Sequence, residues 1–243
     1  MEFTEVVERS GVLQRQFTSR RASRSIPGVL WTPSGGRRGP LVLLGHGGSG
    51  SVFDDHIVAL ARGLVRDEGC ICVAIDGPVH GRRRGARSEE AGLVLLDFSQ
   101  VWASDPAMTD DMVADWRSVL DELVADLELD GVPVGYWGLS MGTILGLPLV
   151  AAEPRITAAV LGLCGLTGPT RQRLGEDAAR VGCPVFFVVQ LEDELFDRES
   201  SLALFDALFC VDKQLHATPG RHGAVTAETF SLSARFLLRR LAS

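Results

Sequence analysis

A serine between two glycines is the best candidate for a nucleophile in this chain. Residues 138–142 read Gly-Leu-Ser-Met-Gly, a G-x-S-x-G pattern between a strand-like run and a helix-like run. Such a turn forces its serine into an unfavourable backbone conformation, and the flanking glycines let neighbouring backbone pack closely against it. The N–H groups of the following helix then point at a developing anion. The pattern therefore predicts that Ser140 is a nucleophile rather than only part of a tight turn.

A nucleophilic serine needs a base and a carboxylate, and two later strand ends supply both. His222 lies in the loop 219–223 that follows the last predicted strand, and Asp193 follows the preceding strand by three residues. We predict His222 as the base and Asp193 as the acid, with His216 and Asp197 as their alternatives. The two glutamates that flank Asp193 are expected to face elsewhere.

A glycine-rich segment, Gly-His-Gly-Gly-Ser-Gly, begins at Gly45 and could supply anion-binding amides. It is no P-loop, because no Gly-Lys-Ser/Thr follows. We predict that the N–H groups of Gly48 and Met141 form an oxyanion hole, with Gly47 as the alternative donor. His46 is expected to brace this loop.

The elements that must position these residues alternate between buried strands and amphipathic helices. Apolar runs predict strands at 41–47, 70–76, 133–139, 158–164, 184–190 and 212–218. Helical spacing or length predicts helices at 53–69, 108–127, 141–152, 198–209 and 224–241. The alternation predicts an α/β fold with a doubly wound, mostly parallel sheet, preceded by antiparallel strands at 3–8, 12–19 and 26–32. In such sheets ligands bind beyond the carboxyl ends of the strands, where the candidate residues lie.

The chain is expected to form one domain over residues 1–243. The segment 33–40 is polar and glycine-rich and predicts a loop. Two connections, 77–108 and 165–183, are longer than is usual between a strand and a helix. We expect a small lid at about 82–108.

Composition narrows the classes of function. The chain has 243 residues, 46% hydrophobic and 23% charged, and a net charge of −7, which argues against nucleic acid as a partner. The first eleven residues carry three glutamates and no apolar core, unlike a secretory signal. No apolar run approaches the roughly 20 residues of a membrane span. These features predict a soluble, cytoplasmic protein with a small-molecule substrate and no membrane partner.

The five cysteines are few and scattered, so they predict no disulfide framework. Cys70 and Cys72 alternate along one predicted strand and are expected to be core residues. No further ligands stand at a suitable spacing, so we predict no metal site.

Together these segments resemble the α/β-hydrolase fold superfamily over roughly residues 26–241. The serine segment looks like its nucleophile elbow, the glycine-rich segment looks like its oxyanion loop, and residues 76–81 look like its D-x-P-x-H-G turn. The chain is most similar to the dienelactone-hydrolase-like and acyl-peptidase-like esterases. It departs from true dienelactone hydrolases, which carry cysteine where Ser140 stands, and from epoxide hydrolases and dehalogenases, which carry aspartate there.

The resemblance implies a serine esterase that works through an acyl-enzyme and needs no metal or organic cofactor. In that mechanism His222, oriented by Asp193, takes the proton of Ser140, and the alkoxide attacks an ester or thioester carbonyl. The amides of Gly48 and Met141 hold the tetrahedral oxyanion before water releases the acid.

The connection 77–108 offers candidates for substrate binding. Its apolar side chains could form an acyl or alcohol pocket, or pack a short helix on the sheet: Leu93, Leu95, Leu96, Phe98 and Trp102. A basic cluster could bind a carboxylate or phosphate, or be a solvated surface offset by Glu89 and Glu90: Arg82, Arg83, Arg84 and Arg87. We predict Phe98, Trp102 and Arg83 as substrate contacts.

Three kinds of hydrolase would share this site. Hydrolysis of a carboxylic ester of small or medium size is the leading prediction, and thioester or small acyl and peptide hydrolysis are the alternatives. Peptidases of this superfamily usually carry an extra propeller or large cap, for which the chain has no room. A binding module without catalysis is less favoured, because such proteins usually lack one of the elements present here.

Overall fold

The computed structural model describes residues 1–35 and 39–242. The predicted loop 33–40 therefore lies partly outside the described residues. The strands are β1 Glu2–Arg9, β2 Val12–Arg21, β3 Arg24–Pro33, β4 Leu41–Gly45, β5 Ile71–Ile75, β6 Val134–Gly138, β7 Ile156–Gly162, β8 Val185–Gln190 and β9 Lys213–Thr218. The helices are α1 Asp55–Glu68, α2 Ala91–Ser104, α3 Met108–Leu127, α4 Met141–Ala152, α5 Arg171–Ala178, α6 Arg198–Ala207 and α7 Ala227–Leu241, with a 3₁₀ helix at Gly81–Arg84.

The strands form one mixed sheet in the order β1-β2-β3-β5-β4-β6-β7-β8-β9. The pairs among β1, β2, β3 and β5 are antiparallel, and every pair from β5 to β9 is parallel. The predicted α/β fold, a mostly parallel sheet with antiparallel strands at its N-terminal end, is confirmed. Since the parallel strands share one direction, the ends of β4, β6, β8 and β9 meet at one edge of the sheet.

Helices cover both faces of the sheet, which explains why the central strands read as continuous apolar runs. On one face, α3 buries Trp116 and Leu120 in a core that continues beneath α4. On the other face, α1 buries Ile57 and Ala61, and α7 adds Phe236. Cys70 and Cys72 belong to this second core, as the sequence predicts.

Local signals set the ends of two helices, α1 and α7. Gly69 ends α1 in the left-handed conformation, with φ of 69°, where a residue without a Cβ is favoured. The Thr226 hydroxyl caps α7 by accepting the Thr229 N–H. The longest helix described, α3, has 20 residues and carries charges along its length. Within the described ranges, no helix is both long and apolar enough to cross a membrane.

The two long connections each contain a helix that the sequence analysis did not delimit. The connection 77–108 holds the 3₁₀ helix and α2, and the connection 165–183 holds α5. Only Val94 and Phe98 of α2 are buried, while Leu93, Leu95 and Leu96 are exposed. A helix does form at 91–104, as expected if these apolar residues pack a short helix on the sheet. Three of its leucines nevertheless stay exposed to solvent.

Candidate active site

Ser140 occupies a strained turn between β6 and α4. Its φ of 59° and ψ of −121° lie in a region that residues with a Cβ rarely adopt. The Ser140 N–H donates to the Gly162 carbonyl oxygen at 2.9 Å, and this bond holds the turn against β7. The serine side chain therefore projects at the edge of the sheet where β4, β6, β8 and β9 end, as expected for a G-x-S-x-G turn.

The glycines around Ser140 allow very close packing beneath it. A Cβ on Gly142 would stand 2.7 Å from the Gly45 carbonyl oxygen, so only glycine lets α4 approach β4 this closely. The buried Tyr136 hydroxyl donates to the Gly142 carbonyl oxygen at 2.5 Å. These contacts hold β6, the Ser140 turn and α4 in fixed positions relative to one another.

The structure brings the three predicted side chains, Ser140, His222 and Asp193, into one hydrogen-bonded line. His222 Nδ1 lies 2.7 Å from Asp193 Oδ2, and His222 Nε2 lies 2.8 Å from Ser140 Oγ. An ionised carboxylate can only accept, so Nδ1–H donates to Asp193, and Nε2 of the neutral ring accepts the serine proton. This arrangement can increase the nucleophilicity of the hydroxyl.

Asp193 stays ionised because its local bonds favour the charged form. Its side chain is only 2% exposed, and burial alone would raise the pKa of the carboxyl. Hydrogen bonds from His222 and from the N–H groups of Phe196 and Leu195 outweigh that effect and hold the pKa below its usual value. Asp193 therefore keeps a negative charge to orient the imidazole.

Glu194 also supports the histidine, a role that the sequence analysis missed. Its carboxylate accepts the backbone N–H of His222 at 2.9 Å and pairs with Arg221 at 3.3 Å. The bond from the His222 N–H lowers the pKa of Glu194 to about 2. The sequence signal is only an acidic residue next to Asp193, and it does not reveal a partner 28 residues away.

Two buried histidines orient the glycine-rich loop. His46 Nε2 accepts the Gly77 N–H at 2.9 Å, so the proton is on Nδ1, which donates to the Gly47 carbonyl oxygen at 2.8 Å. In a trans peptide the C=O and the N–H point in opposite directions, so the Gly48 N–H points away from His46. His46 thus braces the loop, as predicted, and burial lowers its pKa to about 4.

His80 holds the next peptide of the same loop. Its Nε2 lies 3.0 Å from the Gly48 carbonyl oxygen, and burial lowers its pKa to about 4. A Cβ on Gly48 would lie 3.6 Å from Met141 Cβ, so the two predicted amide donors belong to neighbouring residues. The arrangement can offer two N–H groups beside Ser140.

The turn at 76–81 anchors these contacts. The buried Asp76 carboxylate accepts N–H groups from Val52, at 3.3 Å, and from Arg82, at 3.0 Å. Gly81 has φ of 45°, and a Cβ there would overlap the Asp76 carboxylate. The position of the Asp76 carboxylate therefore requires glycine at residue 81.

The alternative acid and base are occupied elsewhere. His216 stacks on Phe186 with ring centroids 5.5 Å apart, and its Nε2 lies 3.1 Å from Thr229 Oγ1. Asp197 caps α6 by accepting the Ser200 N–H at 2.8 Å. Neither contact leads to Ser140.

The cleft beside Ser140 is a cavity of about 360 Å³ with a largely apolar wall. Its lining includes the loop glycines Gly47 and Gly48, and Ser140 and His222. The apolar lining is formed by Leu95, Trp137, Leu139, Leu163, Leu195, Val225 and Phe230. His56 of α1 is exposed and also lines this cleft.

The three residues predicted as substrate contacts, Phe98, Trp102 and Arg83, are not brought to this cavity. Phe98 is buried behind Gly48 and stacks on Trp102, with ring centroids 6.0 Å apart. The Trp102 indole donates to Thr170 Oγ1 at 2.9 Å. Leu95, about one helical turn before Phe98, is the α2 residue that lines the cleft instead.

Arg83 points at a buried carboxylate rather than at Ser140. Its guanidinium pairs with Asp115 at 2.8 Å, and its side chain is 11% exposed. The neighbouring Arg82 donates to the carbonyl oxygens of Phe17 and Gly28 at 2.9 and 2.7 Å. These two arginines fasten the 3₁₀ helix to α3 and to the antiparallel strands.

The rest of the arginine cluster is divided between the interior and the surface. Arg84 is 2% exposed, donates to the Val79 carbonyl oxygen at 2.8 Å and pairs with Asp97 at 3.0 Å. Arg87 is largely exposed and approaches Asp97 at 3.7 Å. The cluster is thus mainly a structural anchor. The sequence analysis considered only an anion-binding site or a solvated surface.

Residues that could hold a metal do not gather here. Among the residues that the structure describes, no three His, Cys, Asp or Glu side chains form a group that could bind an ion. Cys164 is buried near the site, and burial raises the pKa of its thiol to about 12, so it is no second nucleophile.

Several solved structures are similar to this chain over almost its whole length. An esterase from an Arctic intertidal metagenomic library, described as cold-adapted and solved bound to polyethylene glycol, is 37% identical, covers 99% of both chains and has a TM-score of 0.88. No protein-family model matches this chain, and no curated protein does.

More distant structures share the fold. Acetyl xylan esterase 1 from Thermoanaerobacterium sp. is 18% identical, covers 100% of this chain and 88% of its own, and has a TM-score of 0.73. A dienelactone hydrolase-like promiscuous phosphotriesterase from metagenomic libraries is 22% identical, covers 96% and 98%, and has a TM-score of 0.74.

Proposed function

Because this chain belongs to the dienelactone-hydrolase-like esterases of the α/β-hydrolase superfamily, we propose that it cleaves a carboxylic ester of small or medium size. The observation that carries the proposal is the line from Asp193 through His222 to Ser140, with contacts of 2.7 and 2.8 Å. This is the geometry that serine hydrolysis requires.

The reaction has two halves. His222 Nε2 takes the Ser140 proton as Oγ attacks the ester carbonyl carbon, and the oxyanion accepts the N–H groups of Gly48 and Met141. The imidazolium, stabilised by Asp193, then protonates the departing alkoxide, which leaves an acyl group on Ser140. Water attacks that acyl-enzyme and gives a proton to His222. As the second oxyanion collapses and releases the acid, His222 returns this proton to Ser140 Oγ, which restores the serine.

The substrate reaches Ser140 beneath a small lid. We assign this lid to about residues 82–108, because Leu95 of α2 lines the cleft while Leu93 and Leu96 stay exposed beside it. A cavity of about 360 Å³ suits the ester group and the parts of the substrate next to it. A cytoplasmic location is part of the proposal, and the five cysteines, all free thiols in the described structure, support it.

The substrate class is tested by comparing p-nitrophenyl esters with acyl-CoA thioesters. The proposal predicts the larger kcat/KM on esters, and Ser140→Ala should lower kcat by about a thousandfold or more. Ser23→Ala, exposed on the turn between β2 and β3, is the matched control and should leave turnover unchanged. A preference for thioesters would make the protein a thioesterase. A correctly folded wild type that cleaves neither class would favour a binding module.

A further inference from the structure

A second apolar groove lies between α1 and α7, outside the cleft that contains Ser140. Its volume is about 430 Å³. Its apolar lining includes Ala59, Leu60 and Leu64 from α1, and Ala234 and Leu238 from α7. No step of the proposed reaction uses this groove.

The groove and the cleft adjoin at two aromatic side chains. His56 and Phe230 line both cavities, and their ring centroids are 5.9 Å apart. Phe230 also stacks on Trp137, which lines the cleft, with centroids 5.5 Å apart and planes inclined by 24°. The two cavities therefore meet at these rings, and the groove runs from there along both helices.

The shape and lining of the groove fit an extended hydrocarbon chain. At 1.5 Å per helical residue, the distance along α1 from His56 to Asp67 is roughly 16 Å. Asp67 and Glu68 line the far end of the groove on α1, and Arg235 lies roughly 8 Å along α7 from Phe230. Along α1, a chain entering past His56 would meet apolar surface before it reached Asp67.

We propose that the groove between α1 and α7 receives the unbranched hydrocarbon tail of the ester, as an extension of the cleft past His56 and Phe230. The inference rests on the proposed ester hydrolysis. It predicts a substrate whose reacting carbonyl lies at Ser140 and whose tail leaves the cleft along α1. Burial of each further methylene in the groove strengthens binding until the chain reaches the charged end.

Substitutions on α1 can block the groove at two depths. Gly63 has open space where a Cβ would stand, and it lies about 10 Å along the helix from His56. Gly63→Trp should therefore lower the kcat/KM ratio of the p-nitrophenyl dodecanoate to the acetate by about tenfold. Ala59→Trp, about one turn closer to the cleft, should lower the corresponding ratio for the octanoate as well.

The matched control is Gly182→Trp. Gly182 is exposed on the loop before β8, at the opposite edge of the sheet, and a Cβ there also meets open space. The same change of side chain should leave every ratio as in the wild type. Far-ultraviolet circular dichroism checks that all three variants fold.

A second series identifies which end of the ester enters the groove. Acetate esters of hexanol to dodecanol lengthen the alcohol instead of the acyl chain. If Gly63→Trp lowers the long-chain ratio in only one series, that series contains the tail that binds. Equal ratios for Gly63→Trp and wild type in both series would overturn the proposal, and so would an equal loss with Gly182→Trp.

A binding measurement separates this inference from the proposed reaction. Dodecanol is titrated calorimetrically into Ser140→Ala protein with and without Gly63→Trp. The groove predicts that Gly63→Trp weakens dodecanol binding about tenfold even if the wild type cleaves no ester. Unchanged dodecanol affinity would contradict the groove, whatever the outcome for hydrolysis.

Discussion

The two walls of the cleft are built in opposite ways. The wall formed by β6 and α4 is buried, and Tyr136 and the glycines beneath Ser140 leave no free space there. The wall formed by α2 is loosely covered, with Leu93 and Leu96 exposed. The difference indicates that Ser140 is fixed by packing, whereas the α2 surface, which we propose meets the substrate, is free to vary.

The comparison extends to kinetics when a variant of the hydrogen-bonded line to Ser140 is set beside a variant of the α2 wall. Asp193→Asn removes the charge that orients His222, the residue that bonds to Ser140, and kcat should fall by about a thousandfold or more. Leu95→Ala removes only apolar contact on the α2 side and should raise KM by about threefold to tenfold with little change in kcat. Steady-state kinetics on one ester measures both. Similar effects on kcat would show that the two walls do not differ in function.

Acid should destabilise the glycine-rich loop, which lies against Met141 at the start of α4, through its two buried histidines. The pKa values of His46 and His80 are about 4 in the folded protein, and both are near 6.5 once the chain unfolds. Between these values the unfolded chain binds more protons, so the free energy of unfolding falls as the pH drops from about 6.5 to 4. Each histidine contributes a loss of up to about 3 kcal/mol, because one pKa unit is worth about 1.4 kcal/mol.

Urea unfolding at pH 7, 5.5 and 4.5 measures that loss. His46→Gln lacks one of the two titrating groups, so its free energy of unfolding should fall less steeply over the same range. An identical pH dependence in the wild type and in His46→Gln would contradict the assignment.

Adding one methyl group to each wall tests the packing directly. A Cβ on Gly146 of α4 would overlap the Tyr136 ring, so Gly146→Ala should cost about 1–3 kcal/mol of unfolding free energy. Gly92→Ala on α2 meets only the Glu90 carboxylate, at 3.9 Å, and should be neutral or stabilise by up to about 1 kcal/mol. Thermal unfolding of the two variants compares the walls, and equal shifts in Tm would remove the distinction.

The smallest effect is expected at Glu194, which holds the His222 backbone. Glu194→Ala should lower kcat by about threefold to tenfold through a less ordered histidine. Glu194→Gln keeps an acceptor for the His222 N–H, so its kcat should be close to that of the wild type. A purely electrostatic role of Glu194 would instead predict the same low kcat for both variants. Glu192→Ala, exposed on the same loop, is the control. A loss with Glu192→Ala as large as with Glu194→Ala would show that the loop, not the contact, matters.

The sequence allows much of the packed wall to be predicted, because its signals are local. Apolar runs mark β4 and β6, and the glycines on either side of Ser140 mark the turn that joins β6 to α4. The choice of His222 over His216 also follows locally, since a loop histidine can reach the edge of the sheet and a strand histidine packs on a neighbour.

The α2 wall and the arginine cluster could not be predicted in the same way. The leucines of α2 are apolar whether they line a pocket or face solvent, so their pattern does not show that Leu95 alone reaches the cleft. The partner of Arg83, Asp115, lies 32 residues away. Only the folded chain shows that this charge is directed inward.

The most direct test of the account is covalent labelling of Ser140 by a fluorophosphonate, read by intact-protein and peptide mass spectrometry. The account predicts one adduct per chain, on the peptide that contains Ser140, with loss of ester hydrolysis in proportion to labelling. Folded wild type that stays unlabelled while it hydrolyses esters, or that carries its adduct on another residue, would contradict the central claim.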